Sequence, residues 1–174
     1  MEKIRVFSDY LCPYCKSGYE TLLKLLPDYP GAKIEWIPVE SHPRPENYQP
    51  HTDLCIQSYY IAMELNADLA SFHSRMFHAV VVERKNVEKP EVLANIAGAI
   101  MDKSTFLEIL ISGKYREKVT ENNDLAFEKE GVWFVPAFRA GKFKLDAKGD
   151  IGVSREDLKN FLDKISYREQ TLIT

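Results

Sequence analysis

The chain opens on a short alternating run. Ile4-Arg5-Val6-Phe7 is rich in β-favouring residues and predicts a strand over residues 4–7. Ser8-Asp9-Tyr10-Leu11 follows, then Cys12-Pro13, where proline carries the mark of a first helical position: its φ fits, and its missing N–H would have had no partner there. Apolar or small residues recur at Cys15, Gly18, Tyr19, Leu22, Leu25 and Leu26, the stripe of a helix. Pro27 and Pro30-Gly31 end it, and Ile34-Glu35-Trp36-Ile37 predicts a second strand, with Pro38 at its end or at a sheet edge. This is a β-α-β opening. Residues 41–51 form a polar, proline-rich loop, and from 52 to 130 the pattern is helical with no convincing strand. It predicts helices near 52–66, 68–82, 90–102, 104–112 and 115–130, with Pro90 at a first helical position, Ser104 as an N-cap, and Gly113 and Gly131 as stops. Period-two patterning returns in Phe134-Val135-Pro136-Ala137-Phe138 and in Lys142-Phe143-Lys144-Leu145, joined by a turn at Gly141 as in a hairpin. Ser154-Arg155-Glu156-Asp157 resembles a capping box and starts a last helix near 155–167. The expected class is therefore α/β: a small mixed sheet built from the two ends of the chain, 1–50 and 131–174, interrupted by an all-helical insertion over 51–130.

Composition narrows the function classes. The 174 residues are 45% hydrophobic and 28% charged, a globular balance that excludes a disordered chain. Twenty-three Lys and Arg against 26 Asp and Glu leave a net charge of −3, which argues against a general nucleic-acid partner. No apolar run approaches the roughly 18 residues of a membrane-spanning helix, so no membrane partner is expected. Met-Glu-Lys-Ile-Arg-Val-Phe-Ser-Asp lacks the apolar core of a signal peptide, so the expected location is the cytoplasm; a chain with its leader removed reads the same way. Three cysteines are too few for a disulfide scaffold of this length. A zinc site needs four ligands, and beside Cys12 and Cys15 there is no second C-x-x-C; His42, His51, His73 and His78 are scattered, so no metal or other cofactor is expected.

The C-x-x-C pair has a physical logic at a helix start. The first cysteine faces unpaired N–H groups and the positive end of the helix dipole, and both favour thiolate over thiol. Thiolate is the attacking species in thiol–disulfide exchange. Cys12 is thus the expected nucleophile, and Cys15, one turn on, the thiol that resolves the mixed disulfide; the alternative is a buried, inert pair. A second feature is Val135-Pro136, a proline inside a strand-like run. A trans proline at a strand edge is one reading; a cis bond that turns backbone groups of the preceding residue toward an extended substrate is the other.

Cys12-Pro13-Tyr14-Cys15, the β-α-β opening and the late Val-Pro before β-β-α resemble the thioredoxin superfamily. The helical block resembles its DsbA-type branch. Phe7-Ser8-Asp9-Tyr10-Leu11-Cys12-Pro13-Tyr14-Cys15, Phe138-Arg139-Ala140-Gly141-Lys142 and Phe72-His73-Ser74-Arg75-Met76-Phe77-His78-Ala79 are similar to FrnE-like members of that branch. The resemblance implies a thioredoxin domain with an all-α insertion, disulfide oxidoreductase or isomerase activity on protein or small-molecule thiols, a cis Val135–Pro136 beside the cysteines, and substrate contacts at Pro13, Tyr14, Val135 and Pro136. Two departures stand out. Some DsbA proteins carry a buried Glu six residues before the nucleophile, where this chain has Val6. Thioredoxins have a buried Asp in the same strand region, and the nearest acid here is Asp9, readable as a proton acceptor or as a turn or cap residue.

Other readings remain open. Pro13-Tyr14 matches many glutaredoxins, which keeps glutathione as a partner, although the glutaredoxin Gly-Gly pair is missing after Val-Pro. Kappa-type glutathione transferases and related isomerases share the inserted architecture but typically have Ser in place of Cys12. A redox-regulated binding module is the non-enzymatic alternative. Cys55 lies among Leu54, Ile56, Tyr59, Tyr60 and Met63 and reads as packing. Tyr10, Tyr14 and Trp36 read as core or as an apolar lip for substrate. Glu83-Arg84-Lys85 and Glu128-Lys129-Glu130 read as solvated surface.

Overall fold

The computed structural model describes residues 3–172. The order of elements is β1 (Lys3–Ser8), α1 (Pro13–Leu25), β2 (Lys33–Pro38), then helices α2 (Asp53–Glu64), α3 (Leu69–Phe77), α4 (Pro90–Ala97), α5 (Lys103–Ser112) and α6 (Arg116–Asn123), then β3 (Ala137–Ala140), β4 (Phe143–Asp146) and α7 (Arg155–Leu172). The strands form one mixed four-stranded sheet in the order β2-β1-β3-β4. β1 and β3 are antiparallel, with Val6 opposite Phe138; β3 and β4 are antiparallel, with Phe138 opposite Leu145. This is the thioredoxin arrangement β-α-β followed by β-β-α, with an all-helical insertion between its halves, as the sequence led us to expect.

The chain divides into two compact units. One comprises Met1–Ser8, Cys12–Ile37 and Gly131–Thr174; the other comprises Asp9–Leu11 and Pro38–Glu130. In the first, the sheet buries Ile4, Val6, Phe7 and Phe138, α1 contributes Leu22 and Leu25, and α7 contributes Leu158, Phe161 and Leu162. Trp36 is buried edge-to-face on Tyr19, with ring centres 5.4 Å apart. The Ser154 hydroxyl accepts the Asp157 N–H at 3.0 Å, which is the expected cap of α7, and that helix runs on to Leu172, past its expected end at 167.

The structure corrects several element boundaries. The strand expected from Phe134 begins only at Ala137, because Pro136 has no N–H to give a sheet neighbour. Asp102, not Ser104, caps α5: its carboxylate accepts the Thr105 N–H at 2.8 Å, so the helix starts one residue early. The helices expected over 68–82 and 115–130 each end in a wider π turn, closed by Glu83 N–H to the His78 carbonyl and by Glu130 N–H to that of Leu125, both at 3.0 Å. Gly113 and Gly131 stop their segments with φ of 69° and 61°, in the left-handed region where a side chain is disfavoured.

The second unit packs Ile56, Ile61, Phe72, Met76, Phe77, Leu93 and Phe106 into its own core. Tyr10 is buried with it. Its hydroxyl lies 2.9 Å from His73 Nδ1, and its ring meets Phe72 and Phe77 at 6.2 and 5.1 Å. Burial holds His73 neutral and pushes its pKa down to about 3. The unfolded chain takes up a proton at the ordinary 6.5 whereas the folded chain refuses it, so this contribution to stability is complete above pH 6.5 and is lost as pH falls toward 3. Urea unfolding should therefore show wild type losing about 1–2 kcal/mol relative to His73→Gln between pH 6.5 and pH 5. Parallel pH profiles for the two proteins would show that His73 is not held neutral.

Candidate active site

The two cysteines of the motif sit where β1 gives way to α1. Cys12 is the N-cap of α1, with extended φ and ψ of −83° and 118°, and Pro13 is the first helical residue. Its Sγ accepts the Cys15 N–H at 3.3 Å, and its carbonyl accepts from Cys15 and Lys16 at 3.1 and 3.2 Å. Sulfur thus stands where a Ser or Asp oxygen caps an ordinary helix. The first turn of α1 carries no acidic residue to oppose a negative charge there. Cys12 is partly exposed, and Cys15, like Cys55, is fully buried.

Val135–Pro136 is cis. The Val135 carbonyl lies 3.7 Å from Cys12 Sγ, close enough to accept a hydrogen bond from the thiol. Pro136 in turn lies against α1. A Cβ built on Gly18 would be 2.9 Å from Pro136 Cγ, so the helix approaches this closely only because residue 18 has no side chain. The Pro136 carbonyl accepts the Ala147 N–H at 3.0 Å, which ties it to the chain just beyond β4.

Of the proposed lip, Tyr10 and Trp36 are buried and only Tyr14 is exposed. Tyr14 packs over Gly152, whose φ is 75° and where a Cβ would meet the Tyr14 side chain at 3.0 Å. Three further apolar residues lie open: Trp133 (86% exposed), Phe134 (54%) and Ile151 (75%). Trp133 and Phe134 immediately precede Val135, and Ile151 adjoins Gly152. Sequence analysis missed Trp133 and placed Phe134 in a strand. The available signal was the pair of aromatics next to a proline, where a ladder cannot continue.

Asp9, three residues before Cys12, is 2% exposed. Its Oδ1 accepts the Leu11 N–H at 3.0 Å and the Thr52 hydroxyl at 2.9 Å, and its Oδ2 accepts the Ser41 N–H at 2.8 Å. Burial is the larger effect and leaves the carboxyl raised above its ordinary value; these donors offset it only in part. The bond to Leu11 makes it a turn residue. Cys55 is fully buried in α2, and loss of hydration, reinforced by Asp9, Asp53 and Glu40, pushes its thiol well up. Among the described residues no group of three or more His, Cys, Asp or Glu is placed to hold a metal ion, and no helix is long and apolar enough to cross a membrane.

The close approach of Gly18 to Pro136 carries a prediction. Gly18→Ala should cost about 1–3 kcal/mol, the usual penalty of overpacking, and should slow any reaction at Cys12 by displacing Pro136 and the Val135 carbonyl. Ser17→Ala, on the exposed side of the same helix, should stay within about 0.5 kcal/mol of wild type. Urea unfolding and a thiol-reactivity assay check both; a silent Gly18→Ala would mean that the ring is free to move aside.

The chain has counterparts among known proteins in sequence and in fold. A family model described as a DSBA-like thioredoxin domain matches residues 3–166. The uncharacterized protein YwbO of Bacillus subtilis (strain 168) is 24% identical over 177 residues, spanning 79% of this chain and 86% of that protein. Cytosolic disulfide reductase DsbM from Pseudomonas aeruginosa, in a structure with GSH, superposes with a TM-score of 0.72 at 15% identity, over 95% of this chain and 99% of that one. Reduced DsbA1 from Neisseria meningitidis gives 0.67 at 18% identity, over 97% and 86%. The structural likenesses establish a common fold, and the match over nearly the whole sequence establishes the family: this chain belongs to the DSBA-like thioredoxin domains.

Proposed function

We propose that the protein is a thiol–disulfide oxidoreductase in which Cys12 attacks and Cys15 resolves. The observation that carries this reading is the place of Cys12 Sγ, 3.3 Å from the Cys15 N–H at the start of α1 and 3.7 Å from the Val135 carbonyl. Charge on sulfur strengthens the first of these contacts. In one direction, the Cys12 thiolate attacks a substrate disulfide, forming a mixed disulfide and expelling one substrate thiolate, which takes up a proton. Cys15 then gives up its proton and attacks Cys12 Sγ. The Cys12–Cys15 disulfide forms, and the second substrate sulfur leaves as thiol. The substrate is reduced by two electrons and the enzyme oxidised by two; the reverse sequence oxidises a dithiol, and the potentials of the two pairs set the direction. In this reading the working domain comprises residues 1–50 and 131–174, with 51–130 as insertion.

The substrate contacts are Pro13, Tyr14, Val135 and Pro136. The apolar side chains left open at Tyr14, Trp133, Phe134 and Ile151 favour a polypeptide over a small disulfide, because a small, charged disulfide gains little from covering them. Glutathione fits as the thiol that regenerates the pair, and the cytosol as the place of work; GSH and a cytosolic location are what the Pseudomonas DsbM structure is described with.

Three variants test the roles. With a disulfide-bonded protein substrate, Cys15→Ser should accumulate a mixed disulfide visible on a non-reducing gel. Cys12→Ser should trap nothing and be inactive, whereas Cys55→Ala should turn over as wild type. Trapping through Cys15, or loss of turnover in Cys55→Ala, would overturn the assignment. Replacing both Trp133 and Phe134 by Ser should lower kcat/KM for insulin reduction by about tenfold, as loss of apolar contacts does, and leave a small aromatic disulfide unaffected. Equal losses on both substrates would remove the argument for a polypeptide.

A further inference from the structure

A buried carboxyl has to gather donors or be neutralised, and Asp9 has gathered them from three separate stretches of chain. Thr52 shows what that costs elsewhere. It stands at the N-cap of α2, where its hydroxyl would ordinarily accept a helix N–H, yet α2 has no side-chain cap and the hydroxyl gives its hydrogen to Asp9. The Thr52 N–H goes to Glu40 Oε1 at 2.9 Å. Glu40 is itself buried and has His51 Nδ1 at 3.4 Å, and the His51 N–H goes to Glu88 at 2.7 Å. Asp9 therefore ends a hydrogen-bonded chain anchored in the helical unit. Its other bond fixes the N–H of Leu11, the residue joined to Cys12. Tyr10 between them is immobilised by burial and by its bond to His73.

We propose that Asp9 is a positioning residue for Cys12: its buried carboxyl, held by Ser41 and Thr52, fixes the Tyr10–Leu11 turn from which the nucleophile enters α1. The proposal rests on the reading of Cys12 as the attacking thiol. Cys12 can cap α1 with its sulfur only in an extended conformation, here with ψ of 118°, and the direction in which the chain arrives is set by the turn before it. Both carboxyl oxygens accept hydrogen bonds from the turn and from its anchors, and it is through the turn that Asp9 acts on Cys12. An amide cannot reproduce this. Whichever way the side chain of Asp9→Asn lies, its NH2 group meets a donor, either Ser41 N–H on one side or Leu11 N–H and the Thr52 hydroxyl on the other.

The test reads the thiol directly, with no substrate. In a Cys15→Ser background, the rate of alkylation of Cys12 by iodoacetamide is followed against pH. The parent should react with a midpoint below the roughly 8.5 of a free cysteine; adding Asp9→Asn should move the midpoint up toward that value and slow the reaction about tenfold near neutral pH. Thr52→Val, which removes one of these anchors, should move it the same way by less, and Thr52→Ser should restore the parent profile. A lower unfolding midpoint with an unmoved alkylation profile would make Asp9 a structural residue only and overturn the proposal. Should Asp9→Asn fail to fold, Thr52→Val decides, since a profile identical to that of Thr52→Ser overturns it equally. Absence of disulfide turnover in the wild type would refute the oxidoreductase reading without moving any of these profiles; normal turnover with unmoved profiles would refute the positioning role alone.

Discussion

The first N–H groups of α1 need an acceptor, and the acceptor the chain supplies is a sulfur atom. Everything at the site follows from Cys12 standing at that N-cap. Pro13 removes one of the unpaired donors by having no N–H, and the Cys15 N–H turns to Cys12 Sγ. Neutral sulfur accepts poorly compared with oxygen, so the cap is best satisfied when the thiol is ionised. Capping and nucleophilicity thus reinforce each other. In the proposed reaction a Cys12 held in a disulfide would carry no charge on sulfur, the helix start would lose part of its acceptor, and return to the thiolate would be correspondingly favoured.

A second constraint is steric. Val135 can direct its carbonyl at Cys12 only if Pro136 lies against α1, and that contact exists because Gly18 has no side chain to fill the space. The same proline decides what happens upstream. Without an N–H it cannot extend β3, so the strand starts at Ala137 and Trp133-Phe134 stay outside the ladder with their rings in water. Gly152 plays the matching part on the other side, admitting the Tyr14 ring over a left-handed backbone position. Two glycines and one proline, none of them carrying a functional group, set where the Val135 carbonyl and the Tyr14 ring lie.

Much of this was legible in the sequence because it depends on local chemistry. Strand alternation before Cys12, proline after it and the apolar stripe through Leu25 suffice to place a C-x-x-C at a helix start, and the turn at Gly141 suffices for the β3–β4 hairpin. The errors have equally local causes. Asp102 outcompeted Ser104 as a cap because its carboxylate reaches the Thr105 N–H, and spacing alone does not rank two adjacent capping residues. The π turns after Phe77 and Asn123 continue a helical pattern with a wider hydrogen bond, so periodicity reads through them. What no local pattern contains is the bonding of Asp9 to Ser41 and Thr52, 32 and 43 residues away. Asp9 could be read as a turn residue from its neighbours; that its carboxyl is also sealed from water emerges only when the helical unit folds around it.

The apolar residue at position 6 gives that burial its weight. Val6 is 1% exposed in the core strand beside the site, where some relatives by resemblance carry a buried acid able to exchange a proton with the resolving thiol. No side chain at this position can do so here. What the α1 start offers the sulfur of Cys12 is acceptor geometry, with Cys15 N–H on the sulfur and no acid in the first turn. A hydrogen bond at 3.3 Å to a soft acceptor weakens steeply with misalignment, so holding the chain ahead of it in place preserves it. On the proposed reading, the three residues ahead of Cys12, two of them held by buried hydrogen bonds of Asp9 and Tyr10, bear on its chemistry through the backbone they fix.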